Sequence, residues 1–370
     1  MSASFVYDAV RTPFGRYGKS LSSVRPDDLA ASTIRALMAR HPGLDPAQVD
    51  DVILGDANQA GEDNRNVARF ASLLAGFPSS VPGVTVNRLC GSSLESVIQA
   101  SRAIEAGDAV IIIAGGVESM SRAPRVVQKP TVAFPSIAET MHSTTIGWRM
   151  VNPGLRVDWT ISNGQSAELL AQRYGISREE QDAFALRSHR RAAAGWDGGF
   201  YDAEAVRVPG VGLARDEGIR AATSTEALAT LEPAFHPEGS VTAGNSSPLS
   251  DGASMLLIAG EHSLPGEEPM ARIVARASVG NDPDVFGIAP VEAANKALAR
   301  AGKSWADVDL VELNEAFAVQ SLACLSLWPD LDPDRVNVHG GALAIGHPLG
   351  ASGGRIVGHL AHELVRRGGG

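Results

Sequence analysis

The stretch Val84-Thr85-Val86-Asn87-Arg88-Leu89-Cys90-Gly91-Ser92-Ser93 decides how the chain is read. A β-branched apolar run ends in a cysteine and small residues. Leu94, Val97, Ile98, Ala100 and Ile104 then recur at helical spacing. This is a strand running into a helix, with Cys90 at the helix entrance. Free backbone N–H groups and the positive end of the helix dipole lie there, and both favour a thiolate over a thiol. A reactive cysteine and a buried structural cysteine both fit that position taken alone.

Working outward, residues 5–11 read as a strand. A helix from Leu29 to Met38 follows, with Asp27 or Asp28 as its N-cap, then a short strand Val52–Gly55 and a helix Val67–Ala75. On the other side, Asp108-Ala109-Val110-Ile111-Ile112-Ile113-Ala114-Gly115-Gly116 is apolar throughout, as a strand buried on both faces must be. Strands alternating with helices predict a wound α/β sheet.

The 370 residues, 44% hydrophobic and 20% charged, suffice for one large or two ordinary cores. A net charge of −10 argues against a nucleic-acid or membrane-surface partner. Two cysteines, Cys90 and Cys324, make no disulfide framework. No apolar run approaches the roughly 20 residues of a spanning helix. The expected setting is reducing and cytoplasmic.

Two distant stretches share one pattern. Thr33–Met38 leads through Leu44–Gln48 into Val49–Asp56. Ala294–Ala299 leads through Lys303–Asp307 into Val308–Glu315, about 259 residues later. The same offset carries Cys90 to the neighbourhood of His347 and Gly350. The chain therefore reads as two similar βα halves, with a reactive side chain at the same helix entrance in each. The expected division is 1–118 plus 250–262 for the first half, 119–249 for an inserted loop domain, and 263–370 for the second half. The insertion carries a helical region, Gln165–Arg173 and Ser177–Ala194, and Ser177-Arg178-Glu179-Glu180 is a capping-box pattern. Asp251–Ala259 is an apolar strand assigned back to the first sheet. The second half's last helix, Gly353–Val365, runs into Gly368-Gly369-Gly370 where the repeat expects a strand, so this half reads as cut short.

Three constellations carry chemistry. Cys90 is the first. The second is the glycine-rich run Asn337–Gly353, in which Pro348 starts a helix beside His347. The third is the pair Asn314-Glu315, closing the strand that repeats Val52–Gly55. A cysteine needs a nearby base, usually histidine, to act at neutral pH, and an amide can hold a water or donate to a developing oxyanion.

These motifs resemble the thiolases: Asn87-Arg88-Leu89-Cys90-Gly91-Ser92, Gly115-Gly116-Val117-Glu118-Ser119-Met120-Ser121, Asn314-Glu315-Ala316-Phe317-Ala318 and Gly346-His347-Pro348-Leu349-Gly350. The resemblance runs from Arg11-Thr12-Pro13-Phe14-Gly15 to the last helix. It implies a duplicated α/β fold, layered α-β-α-β-α with five-stranded sheets, and acyl transfer between a 3-oxoacyl-CoA and coenzyme A that releases acetyl-CoA. Coenzyme A is then a substrate, with no permanently bound cofactor and no metal. By the same resemblance Cys90 is the acylated nucleophile and His347 its activator and an oxyanion contact. Asn314 holds a water there. Ala243, Ser247 and Leu249 line the coenzyme tunnel with Phe235 and Phe317, and Arg220 is a candidate for the adenine or phosphates. Glu118 and His339 are expected to be structural, and Cys324 a core residue. The family's second catalytic cysteine, in a Cys-x-Gly turn, has no counterpart in this sequence. Phe286 stands where many members carry Met near the acyl pocket. Ser143–Pro153 resembles the 3-oxoadipyl-CoA thiolases, whose substrate has a distal carboxylate that Arg149 could pair with. Acetoacetyl-CoA or fatty 3-oxoacyl-CoA thiolysis, and a non-catalytic coenzyme A binder, are the alternatives. A homodimer or homotetramer is implied.

Overall fold

The computed structural model describes residues 3–369. The chain forms, in order, β1 (Ser4–Arg11), β2 (Gly15–Arg16), α1 (Pro26–Arg40), β3 (Asp51–Gly55), α2 (Val67–Leu74), β4 (Gly83–Val86), α3 (Ser92–Ala106) and β5 (Ile111–Ser119). Then come β6 (Arg125–Val127), β7 (Met141–Ser143), α4 (Asn163–Tyr174), α5 (Arg178–Asp197), α6 (Thr225–Ala229) and β8 (Ser250–Gly260). β9 (Ala271–Ile273), α7 (Ala289–Ala301), α8 (Ala318–Ser326), α9 (Ala342–Ile345) and α10 (Leu349–Arg366) complete it.

One mixed sheet organises the molecule, in the order β4-β3-β5-β8-β1-β9, with β2 paired to β8. β3 runs parallel to β4 and β5, whereas β8 lies antiparallel between β5 and β1. Every residue of β5 and β8 is buried, because helices cover both faces. On one face Leu29, Ile34 and Leu37 of α1 and Val67 and Ala71 of α2 pack on Val52, Leu54, Ile113 and Leu257. On the other, Val97, Ala100 and Ile104 of α3 and Ala361 of α10 pack on Ile53, Ile112, Leu256 and Ile258. The second half's last helix thus lies on the first half's sheet, beside α3.

The repeat is visible in local geometry. Pro46–Gln48 and Trp305–Asp307 are one-turn 3-10 helices 259 residues apart, each opened by a capping box, from Asp45 with Gln48 and from Ser304 with Asp307. Ser177 and Glu180 form the expected box at α5. α1 begins two or three residues earlier than an N-cap at Asp27 or Asp28 would place it. Arg25 is the N-cap and Pro26, with its φ already set, occupies N1, which leaves Asp27 and Asp28 in the first turn.

The expected second five-stranded sheet is not formed among the described residues. Among the described residues the segment repeating β3 makes a single parallel bridge, Val311 to Val336, with Val311 N–H donating to Arg335 and Asn337 N–H to Val311. Its other edge has no strand beside it, and the short β9 joins the first sheet instead. A strand paired on one side over two residues has too few ladder bonds to extend. No helix among the described residues is long and apolar enough to cross a membrane.

Candidate active site

The turn between β4 and α3 is tight because its polar side chains fold back on it. Asn87 Oδ1 accepts from Leu89 N–H at 2.9 Å, and Ser92 Oγ accepts from Arg88 N–H at 2.9 Å while donating to Leu89 C=O at 2.6 Å. These bonds hold Leu89 at φ 50°, a left-handed conformation that costs a non-glycine residue on the order of 1 kcal/mol or more. The strain turns Cys90 out of the strand direction. Nothing in an Arg-Leu-Cys sequence signals it.

Cys90 is a half-buried free thiol whose Sγ is met by its own backbone N–H. The expectation that the helix entrance favours its thiolate is corrected here. Burial first, and the Glu118 carboxylate second, push the thiol up to about 12. Desolvation outweighs the helix end, and the resting group is a neutral thiol.

The two helix entrances meet. Gly354 N–H of α10 donates to Ser93 Oγ of α3 at 2.9 Å, and a Cβ at Gly353 would stand 2.4 Å from Leu94 N. Only glycine permits this approach. A Cβ at Gly350 would meet Val117 C=O at 2.4 Å, so α10 also starts against the end of β5. No hydrogen bond joins Cys90 to His347. The fold puts the base and the thiol on abutting elements without pairing them.

His347 is buried and its tautomer follows from its partners. Ser352 Oγ donates its one hydrogen to Pro348 C=O at 2.9 Å, so at 2.6 Å it must accept from His347 Nδ1–H. Nε2 is then bare, and Asn314 Nδ2 donates to it at 3.3 Å. Burial, and then the Arg355 charge, lower the imidazole to about 4, so it is neutral at physiological pH. His347 N–H is held by Ser250 Oγ at 3.1 Å. Asn314 Oδ1 is buried without a partner and can accept from a water. Ser250 and Ser352 were not singled out from the sequence. Ser352, five residues after His347, was the one legible signal.

The remaining candidates divide. Ser247 N–H donates to Ala316 C=O at 3.0 Å, Ala318 N–H donates to Asn245 C=O at 2.9 Å, and Ser246 bridges Phe317. The Thr242–Leu249 stretch therefore lies along the segment that carries Asn314. Phe235 and Phe317 meet edge to face, with centroids 6.0 Å apart. Ala243 is exposed, Ser247 and Leu249 are half-buried, and Leu249 leads directly into Ser250. Arg220 stands apart. It is exposed, its backbone N–H bonds His189, and no contact joins it to the phenylalanine pair. His339 belongs to a buried network, 3.0 Å from His359 and stacked on Phe200, while His359 reaches Glu204 at 2.8 Å. Cys324 is core, its thiol donating to Gly287 C=O at 3.4 Å, and burial pushes it up to about 12. No group of three or more His, Cys, Asp or Glu among the described residues is disposed to hold a metal ion.

Residues 4–262 match the family described as thiolase, N-terminal domain, and residues 267–370 match thiolase, C-terminal domain. The chain belongs to the thiolase family. Its similarity to an Escherichia coli beta-ketoadipyl-CoA thiolase is 51% identity over 381 residues, covering 100% of this chain and 94% of that one. An Acinetobacter baylyi beta-ketoadipyl-CoA thiolase is 49% identical over 380 residues, with the same coverage. Human mitochondrial 3-ketoacyl-CoA thiolase, solved in complex with CoA, superposes with a TM-score of 0.92 at 39% identity, covering 100% of this chain and 93% of that one. This thiolase is thus an acyltransferase of α/β fold, and its chemistry is to be sought where α3 and α10 meet.

Proposed function

We propose that this thiolase cleaves 3-oxoadipyl-CoA with coenzyme A through an acyl-Cys90 intermediate, releasing acetyl-CoA. The observation that carries the mechanism is the unprotonated Nε2 of His347 at an entrance packed against that of Cys90. As Sγ attacks the 3-oxo carbon its proton passes to Nε2. The S–C bond forms, the bond between C2 and C3 breaks, and the electron pair left on C2 takes a proton from water to give acetyl-CoA. Coenzyme A, its thiol proton taken by the hydroxide so formed, then displaces Sγ from the acyl group, and the His347 proton returns to Sγ. Once protonated, Nε2–H becomes a donor. One histidine therefore serves as base before the transfer and as an oxyanion contact after it, with Asn314 and a water completing that contact. Ala243, Ser247, Leu249, Phe235 and Phe317 form the path for the pantetheine arm. Arg220 is retained only as an outer contact for the nucleotide end.

The distal carboxylate selects the acyl group. Arg149 is half-buried and has no carboxylate partner among the described residues. Its segment is tied to the site through Thr144, whose Oγ1 accepts from Asn58 Nδ2 at 3.0 Å, close to the Ala57 carbonyl held by Asn87. An unpaired arginine there supplies a charge-assisted contact. Arg149→Gln is expected to lower kcat/KM for 3-oxoadipyl-CoA about 10- to 100-fold and to leave 3-oxohexanoyl-CoA nearly unchanged, in line with ~1.5–3 kcal/mol for a hydrogen bond to a charged group. Equal losses on both substrates would refute the assignment.

We further propose a homo-oligomer closed through the edge strand β4, and a loop domain over residues 119–249. Val84, Leu89, Phe70, Leu73 and Leu74 are exposed along or beside β4, a free edge that soluble proteins normally protect. Sedimentation at micromolar concentration should give at least twice the 38.6 kDa chain mass. A Val84→Lys variant should fall toward monomer, and a monomeric parent protein would sink the proposal.

A further inference from the structure

Glu315, the residue after Asn314, is buried at 1% exposure. Donors from three other segments converge on its carboxylate. Asn337 Nδ2 donates to Oε1 at 2.8 Å, while Ser188 Oγ and Leu343 N–H donate to Oε2 at 2.6 and 3.2 Å. Asn337 also brackets the residue before Asn314. Its Oδ1 accepts from Leu313 N–H and its Nδ2 donates to Leu313 C=O, both at 2.8 Å. Leu343 lies in α9, four residues before His347, and Ser188 lies in α5, where its Oγ also accepts from Gly341 N–H at 3.0 Å. The backbone closes tightly on the group. A Cβ at Gly341 would run into the carboxylate, and one at Gly340, already at φ 86°, would stand 2.6 Å from the Ser188 carbonyl oxygen.

Asn314 has almost nothing of its own to orient it. Its Nδ2 donates to His347 Nε2 at 3.3 Å, beyond the usual range, and its Oδ1 is buried without a partner. His347, by contrast, is anchored twice, at Nδ1 by Ser352 and at its backbone N–H by Ser250. The Asn314 amide is therefore placed by the backbone on either side of it, held at Leu313 by Asn337 and at Glu315 by the converging donors. Only an acceptor on every side can do this. The Asn337 amide cannot turn, since its Oδ1 already serves Leu313 N–H, and a backbone N–H cannot reverse.

We propose that Glu315 is a positioning residue for the oxyanion contact: its carboxylate ties the Asn314 backbone to the segment carrying His347, and so sets the amide against Nε2. This rests on the reading of Asn314 and His347 as that contact. Glu315 meets neither the substrate nor the thiol, and acts through Asn314. In Glu315→Gln the new NH₂ must face Asn337 Nδ2 or Leu343 N–H, donor against donor, so the tie opens on one side.

The test is a double-mutant cycle on the rate of acyl-Cys90 formation, read by mass spectrometry of the intact chain mixed with 3-oxoadipyl-CoA. Asn314→Ala should slow acylation by about 10²-fold, the loss typical of one oxyanion donor. Glu315→Gln should slow it about 10- to 100-fold, the scale of a misplacement by an ångström or less. When Asn314 is already alanine, the same substitution should cost less than about threefold. A carboxylate that only stabilised the fold would lower the competent fraction by one factor in both backgrounds. Equal factors, or an unchanged rate in Glu315→Gln, would overturn the proposal. Should Glu315→Gln fail to fold, Ser188→Ala removes one of the three donors. It should give a smaller loss with the same dependence on Asn314, and the same outcomes refute it. A parent protein that forms no acyl adduct, or an Asn314→Ala chain acylated at the parent rate, would instead refute the underlying site reading, and the proposal with it.

Discussion

Replacing Cys90 with alanine is expected to lower kcat for thiolysis by about 10⁴-fold or more, the scale on which enzymes lose activity when a covalent nucleophile is removed. The acyl adduct should vanish with it, while coenzyme A binding persists, because Ser247, Leu249 and the Phe235–Phe317 pair lie on other segments. Cys324→Ala is the internal control. That thiol is enclosed by α8 and Gly287 and should affect stability, by the loss of a small buried group, rather than turnover. Mass spectrometry after a burst of substrate, with both variants side by side, reads the difference. A Cys90→Ala enzyme that kept a tenth of the parent rate would remove the acyl-cysteine mechanism.

His347→Ala should cost about 10²- to 10⁴-fold in kcat, the usual range for a positioned general base. The energetics explain why the loss is so large. With burial holding the thiol near 12 and the imidazole near 4, a resting thiolate–imidazolium pair is disfavoured. The base is useful only in concert with bond formation, where the sulfur charge never accumulates. Because the imidazole is lowered to about 4, it stays neutral and able to accept a proton at any pH well above that value. The acid limb of kcat/KM due to His347 should therefore lie near pH 4, and the rate should not fall between pH 8 and pH 6 on its account. The stability sign is the same. A histidine held neutral in the fold contributes stability that is complete above its unfolded value of about 6.5 and declines as pH falls toward 4. Ser352→Ala separates the two functions of the site. It releases the Nδ1–H anchor without removing the base, so kcat should fall far less than in His347→Ala. Equal losses in the two variants would mean that His347 acts through its position alone.

Much of the architecture was legible in the chain. The apolar run of β5 can be satisfied only with cover on both faces, and it has that cover. The 259-residue repeat was real down to the capped turns at Asp45 and Ser304, because capping depends on residues three apart. The second sheet was not legible, since a strand exists only when something lies beside it, and Val308–Glu315 looks as strand-like as Val49–Asp56. The Cys90 ionisation went the opposite way from the local reading. A helix end is a short-range property of the sequence, whereas burial and the Glu118 carboxylate arrive from β5, tens of residues away.

The sequence by itself determined the α/β class, the duplicated halves, the family, and Cys90, His347 and Asn314 as the residues to examine. Each rests on spacing or on a motif only a few residues long. The tertiary structure alone decided the protonation states. The tautomer of His347 comes from one Ser352 hydrogen already spent on Pro348, and the neutral thiol from charges and burial that converge only on folding. Gly353 lets the two helix entrances touch, while Gly350 and Gly354 let α10 close on β5 and β8. Motif spacing is covalent and can be read along the chain, whereas desolvation and hydrogen-bond competition depend on distances that exist only after the sheet and its covering helices have assembled.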